Sequence, residues 1–168
     1  FLELKQMPGM EQVHLRIAGW LGEHRREYAE QQFEKLRLAG LGDHFQYDGE
    51  VDRQGKIDFL GAIDVLSVPT VYEEPKGLFV LESLAAGVPV VQPRHGAFPE
   101  LLSRTGGGVL VDPGSPTALA AGLAAVLSDP GRRKSLGDEG REMVHESFHA
   151  EQMGRETLEV LSRIAELS

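Results

Sequence analysis

The chain has 168 residues, the length of one domain, and a fold of that size buries roughly 70% of the surface exposed by the unfolded chain. Hydrophobic residues at 41% and charged residues at 26% exclude a disordered chain, and the longest apolar run, the ten residues Ala118–Leu127, is too short to span a bilayer as a helix. The net charge of −9 excludes a general nucleic-acid surface, and the lack of cysteine excludes disulfides, iron–sulfur clusters and zinc–thiolate sites.

A short β-branched run, a turn bearing Gly or Pro, and an amphipathic helix recur along the chain. Leu15–Trp20 reads as the first strand, and Arg25–Ala39 as a helix with Ala29, Phe33 and Leu36 on one face, stopped at Gly40. Phe45–Asp48 alternates as a second strand closed by Gly49, and Lys56–Ile63 is a short helix. Val65–Pro69 is the third expected strand, with Pro69 at its end. Leu78–Ala86 is helical, with Gly87 as the residue after its C-cap and Pro89 blocking extension. Pro89–Pro93 and Gly108–Asp112 are the fourth and fifth strands. Ser115 followed by Pro116 is an N-cap with proline at the first helical position, opening a helix to Ser128. Helices over Arg132–Glu146 and Ala150–Leu167 complete the chain. The charge-rich stretch Glu23–Arg37 reads as the solvated face of a helix.

This alternation predicts an α/β fold with a parallel sheet and helices on both faces. Ligands in such folds sit beyond the carboxyl ends of the strands, so the loops after the strands are the places to search. The loop after the third strand carries two carboxylates, Glu73 and Glu74, and Gly77 stands where the next helix starts. A helix start behind glycine leaves N–H groups free, with the positive end of the helix dipole behind them, and this suits a diphosphate. Glu82, one and a half turns further on, suits hydroxyl groups as an acceptor. Three Glu-x7-Glu pairs occur in the chain, close to the number expected by chance, but only Glu74 with Glu82 straddles a strand-to-helix junction. The context makes the signal.

The stretch from Glu74 to Val91, Glu-Pro-Lys-Gly-Leu-Phe-Val-Leu-Glu-Ser-Leu-Ala-Ala-Gly-Val-Pro-Val-Val, resembles the signature of the family-four glycosyltransferases, also called glycosyl transferases group 1. Leu15–Gly19, Leu41–Asp43, Gly49 and Ala62–Pro69 upstream fall in the family's order, as do Gly96–Leu102 and Gly107–Gly114 downstream. The resemblance covers all but about the last 20 residues. It implies the Rossmann-like C-terminal half of a two-domain GT-B fold. Residues 1–168 are then a single nucleotide-sugar-binding domain, lacking the first strand of its sheet and the preceding acceptor domain. The implied parent enzyme transfers a sugar from a nucleotide-diphosphate donor with retention at the anomeric carbon and without a bound metal, and the fragment alone is expected to be inactive.

By position, the resemblance puts Glu82 on the ribose hydroxyls and Glu74, as the catalytic candidate, near the transferred sugar and its phosphate. Gly77, Leu78 and Phe79 offer backbone amides to the diphosphate, and the base lies near Gly49 to Val51. Lys76 stands where the family often has an aromatic residue, and either adds charge beside the phosphates or is solvated. Arg94 and His95 follow the fourth strand and either contact the ligand or stabilise the loop. Glu100 reads as a helix-start charge. The Arg and Lys with which the family grips the diphosphate would precede Phe1–Met7, so donor affinity is expected to be weak. The absent first strand leaves two unpaired edges, which invite self-association. The six histidines are scattered, with no metal spacing. Localisation is expected to be cytoplasmic, with peripheral membrane attachment of the parent enzyme open. A sugar-nucleotide epimerase of the same architecture and a non-catalytic nucleotide-binding module are the alternatives. A flavodoxin-type domain lacks its Ser/Thr-rich phosphate loop here.

Overall fold

The computed structural model describes residues 1–166. Among these residues eight α-helices and four strands follow in the order α1 (Leu2–Lys5), β1 (Leu15–Ala18), α2 (Glu23–Leu38), β2 (Phe45–Gly49), α3 (Arg53–Gly61), α4 (Leu78–Ala85), β3 (Val90–Pro93), α5 (Phe98–Thr105), β4 (Gly108–Val111), α6 (Pro116–Leu127), α7 (Pro130–Ser147) and α8 (Ala150–Glu166). The last helix was expected to reach Leu167, which lies outside the described residues. Side-chain caps fix where three helices begin. Asp52, Ser115 and Asp129 accept from the backbone N–H of Gly55, Ala118 and Arg132 respectively. The Asp52 cap starts α3 three residues earlier than expected. The Asp129 cap, followed by Pro130 at the first helical position, likewise starts α7 two residues early. Among the described residues no helix is long and apolar enough to cross a membrane.

The strands pair in parallel, as expected, but in two pairs: β1 with β2, Leu15 opposite Phe45, and β3 with β4, Val90 opposite Gly108. The third expected strand, Val65–Pro69, is reduced to one bridge, Leu66 to Val90. Leu66 N–H donates to Pro89 O, and Val91 N–H to Leu66 O. There the ladder stops, because side chains take the next backbone groups. Ser67 Oγ donates to Val91 O at 2.7 Å, and the Gln92 side-chain carbonyl accepts from Val68 N–H at 3.2 Å. Pro93 has no N–H with which to resume it. The first strand is also shorter than expected, ending at Ala18.

The principal core lies under β3, where Val80 and Leu84 of α4 pack with Val90, Phe98, Leu102 and Val144. All four β3 residues are buried, whereas β1 is only half-buried along its length. A smaller cluster joins Leu4 and Met10 to Ala120 and Ala124 of α6. An apolar cleft of about 620 Å³ separates the two strand pairs, with His14 and Leu15 on one wall, Val65 and Leu66 on the other, and Leu4 and Leu123 among the helical residues closing it. The sheet is interrupted at this cleft.

Candidate functional site

The loop from Thr70 to Gly77 delivers the chain from the short third segment to α4. Gly77 is the N-cap residue of that helix and is left-handed, at φ 63° and ψ 36°. The left-handed backbone favours glycine here, and a Cβ would also lie 2.7 Å from Leu101 Cδ1 and push that side-chain end aside. Val80 N–H donates back to Gly77 O at 2.9 Å. The N–H groups of Leu78 and Phe79 have no acceptor among the described residues, and they sit at the positive end of the helix dipole.

Glu74 folds back onto this helix start. One of its carboxylate oxygens, Oε1, accepts from Gly77 N–H at 3.0 Å and from Lys76 N–H at 3.1 Å, while Tyr72 OH donates to Oε2 at 3.3 Å. These bonds, the one from Gly77 foremost, hold the carboxyl below its ordinary pKa. The Gly77 amide is thus already occupied by Glu74, and the helix offers an incoming anion the N–H groups of Leu78 and Phe79.

The loop after β3 clamps the same segment. Ala97 N–H donates to Glu74 O at 2.8 Å. Gly96, also left-handed, lies so close that a Cβ would come within 2.6 Å of that carbonyl oxygen. His95 Nε2 is 3.0 Å from Thr70 O and its ring meets Phe98 edge-on, so the imidazole ties two loops together. Arg94 is exposed at the rim, as is Lys76, and the side chain of neither makes a hydrogen bond or ion pair among the described residues. Thr70 Oγ1 and Gln92 Nε2 are buried beside these loops without a hydrogen-bond partner. Glu100 reaches Arg104 at 4.0 Å on the outer face of α5, which fits a helix-start charge.

Glu82 lies one turn along α4 from Leu78, on the same exposed face. Its Oε1 receives Lys56 Nζ of α3 at 2.7 Å. The pair lines a hollow of about 590 Å³ together with Asp52 and Arg53 and the aliphatic side chains of Val51, Ile57, Leu60 and Ala85. Val51 therefore lines the same hollow as Glu82. Gly49 is one step removed, closing β2 in a left-handed conformation with its carbonyl on Gly19 N–H. Lys56 was not singled out from the sequence. Its partner is 26 residues away on another helix, and no local pattern marks such a contact.

The arrangement combines a helix start with two N–H groups that have no acceptor among the described residues, a carboxylate one turn deeper and an apolar hollow alongside. No group of three or more His, Asp or Glu among the described residues is placed to hold a metal ion.

Comparison with known proteins bears on the family and the fold. The family model described as glycosyl transferases group 1 matches residues 3–143. A protein of Methanocaldococcus jannaschii, described as an uncharacterized glycosyltransferase, is 33% identical over 142 residues, covering 75% of this chain and 36% of its own. The C-terminal domain of a group 1 glycosyl transferase from Francisella tularensis superposes with a TM-score of 0.77 at 22% identity, over 89% of this chain and 78% of that one. An Anabaena protein crystallised with UDP superposes at 0.84 and 20% identity, over 96% of this chain and 43% of that one. The chain spans about a third of the length of the curated relatives it matches.

Proposed function

This chain belongs to the group 1 glycosyl transferases, and from that premise we propose that it is the donor-nucleotide half of an enzyme transferring a hexose-type sugar from a nucleotide-diphosphate donor with retention of anomeric configuration. The observation that carries the reading is the start of α4, where the N–H groups of Leu78 and Phe79 have no acceptor among the described residues and Glu82 follows on the same helix face. The UDP held by the Anabaena protein of the same fold supports it.

In this reading the diphosphate docks on the two amides, with Lys76 and Arg94 adding positive charge from the rim. The ribose hydroxyls donate to the Glu82 carboxylate, and the base enters the hollow beside Val51, beyond Gly49. Glu74 faces the transferred sugar and its phosphate. Its lowered pKa keeps it ionised at neutral pH, so it accepts hydrogen bonds and does not act as a proton donor. His95 holds the loop that clamps Glu74. As the bond between the anomeric carbon and phosphate oxygen breaks, the nucleoside diphosphate leaves with the bonding electrons. The acceptor oxygen takes its place, and the acceptor's proton passes to the departing phosphate. Helix amides and rim cations stabilise the leaving charge, and the reaction is proposed to use no bound metal. The acceptor site and a water-excluding cleft are assigned to the rest of the parent enzyme. We place that enzyme in the cytoplasm.

Calorimetric titration of the chain with UDP, GDP and ADP, with and without EDTA, tests this. One nucleotide should bind saturably, unaffected by EDTA, and more weakly to the Glu82→Ala variant. Failure of all three at about 10 mM, where roughly 3 kcal/mol of affinity still registers, would refute the donor site.

A further inference from the structure

The contact between Lys56 and Glu82 joins two helices that otherwise meet the proposed donor site separately. The Asp52 cap sets the first turn of α3, and Lys56 N–H makes that helix's first full backbone bond, to Asp52 O at 2.9 Å. The cap therefore decides where the Lys56 side chain emerges. Its Nζ takes Glu82 Oε1 at 2.7 Å and leaves Oε2 open. The walls of the adjoining hollow are aliphatic at Val51, Ile57, Leu60 and Ala85, and Lys56 is the one residue that hydrogen-bonds this carboxylate among those described.

We infer that Lys56 is a positioning residue for Glu82: it holds the carboxylate in one rotamer, with one oxygen satisfied and the other presented to the ribose diol. The inference rests on the proposed function, in which Glu82 receives that diol. An exposed glutamate samples many rotamers, and ordering it at the moment of binding costs affinity. A lysine that orders it beforehand removes that cost. Both side chains are about half exposed, at 46% and 44%, so the tie is of the modest strength of surface ion pairs. Its effect on nucleotide affinity is accordingly about threefold. The contribution belongs to the ribose alone and does not extend to the phosphates.

The test titrates this chain, Lys56→Met and Lys56→Arg with the preferred nucleoside diphosphate and with its 2′,3′-dideoxy analogue. Lys56→Met should bind the ribonucleotide about threefold more weakly, Lys56→Arg should restore most of that loss, and both should bind the dideoxy analogue as the parent chain does. An equal loss for the dideoxy analogue would place Lys56 on the phosphate or base and overturn the inference. Unchanged ribonucleotide affinity in Lys56→Met would overturn it as well, with the donor site intact. If the parent chain itself fails to distinguish the two nucleotides, the assignment of Glu82 to the ribose has failed, and the inference falls with it. Lys56 is exposed on its helix, and circular dichroism of the variants confirms that the fold is kept.

Discussion

Replacing Gly77 by alanine perturbs the start of α4 in two separable ways. The left-handed backbone at φ 63° costs a residue with a Cβ roughly 1–2 kcal/mol. The new methyl would also lie 2.7 Å from Leu101 Cδ1, the end of a side chain that is itself buried in the principal core. Leu101 must shift, and crowding of a packed core adds about 1 kcal/mol at the low end of such costs. The sum is about 2–3 kcal/mol, which for a domain of this size lowers Tm by about 5–10 °C. Gly114 supplies the control. Its φ of 68° is nearly the same, but nothing lies within 4 Å of where its Cβ would stand. Gly114→Ala should therefore show the backbone cost alone. Urea unfolding of the three proteins at pH 7, with Tm measured in parallel, gives both numbers. If Gly77→Ala costs no more than Gly114→Ala, the close approach to Leu101 carries no energy. If neither shifts Tm by more than about 2 °C, the left-handed requirement itself is refuted.

Glu74→Gln should lower stability at neutral pH and remove a pH dependence. A carboxyl whose folded pKa is depressed contributes stability that is complete above its ordinary value of 4.5 and is lost as pH falls through the folded value. The gap in urea midpoint between the parent chain and Glu74→Gln should be constant from pH 7 down to about 5 and then close on further acidification. A gap that persists unchanged to pH 2 would refute the capping role. Phe98, the first residue of α5, is fully buried against Phe79 of α4, and Phe98→Ala should cost about 3–5 kcal/mol in the same assay; a loss below about 1 kcal/mol would mean that this core collapses around the missing ring.

Much of this architecture could be read directly from residue patterns. Ser115-Pro116 announced α6, and Gly87 with Pro89 closed α4, because caps and helix breakers act within a few residues of where they stand. The parallel pairing followed from the alternation of strands with helices. The third strand did not follow, since its β-branched run is correct and its ladder fails for a reason outside that run. The Ser67 hydroxyl and the Gln92 amide capture the backbone groups that a neighbouring strand would use. The early start of α3 came from Asp52, a cap whose next four residues, Arg53 to Lys56, include no hydrophobic one to draw attention to it. Within the candidate site, the helix start at Gly77, with Glu82 on that helix, was legible from the junction that Glu74 and Glu82 straddle. The occupation of Gly77 N–H by Glu74 was legible in principle, as an acidic residue three positions ahead of a helix start. The contact of Glu82 with Lys56 depends on how α3 lies against α4, and no local rule supplies it.

The divided sheet also bears on how the molecule opens. β3 is buried throughout and carries most of the deep core, whereas β1 and β2 hold half-buried residues and meet the rest across an apolar cleft. Among the described residues no unbroken ladder couples the two pairs, so the amides of β1 and β2 should exchange with solvent through excursions that leave β3 and β4 closed. Val51 belongs to the looser side and Glu82 to the firmer one. A nucleotide that touches both would act as a clasp, slowing exchange in the first half of the chain far more than in the second, and its occupancy could be followed there without any turnover.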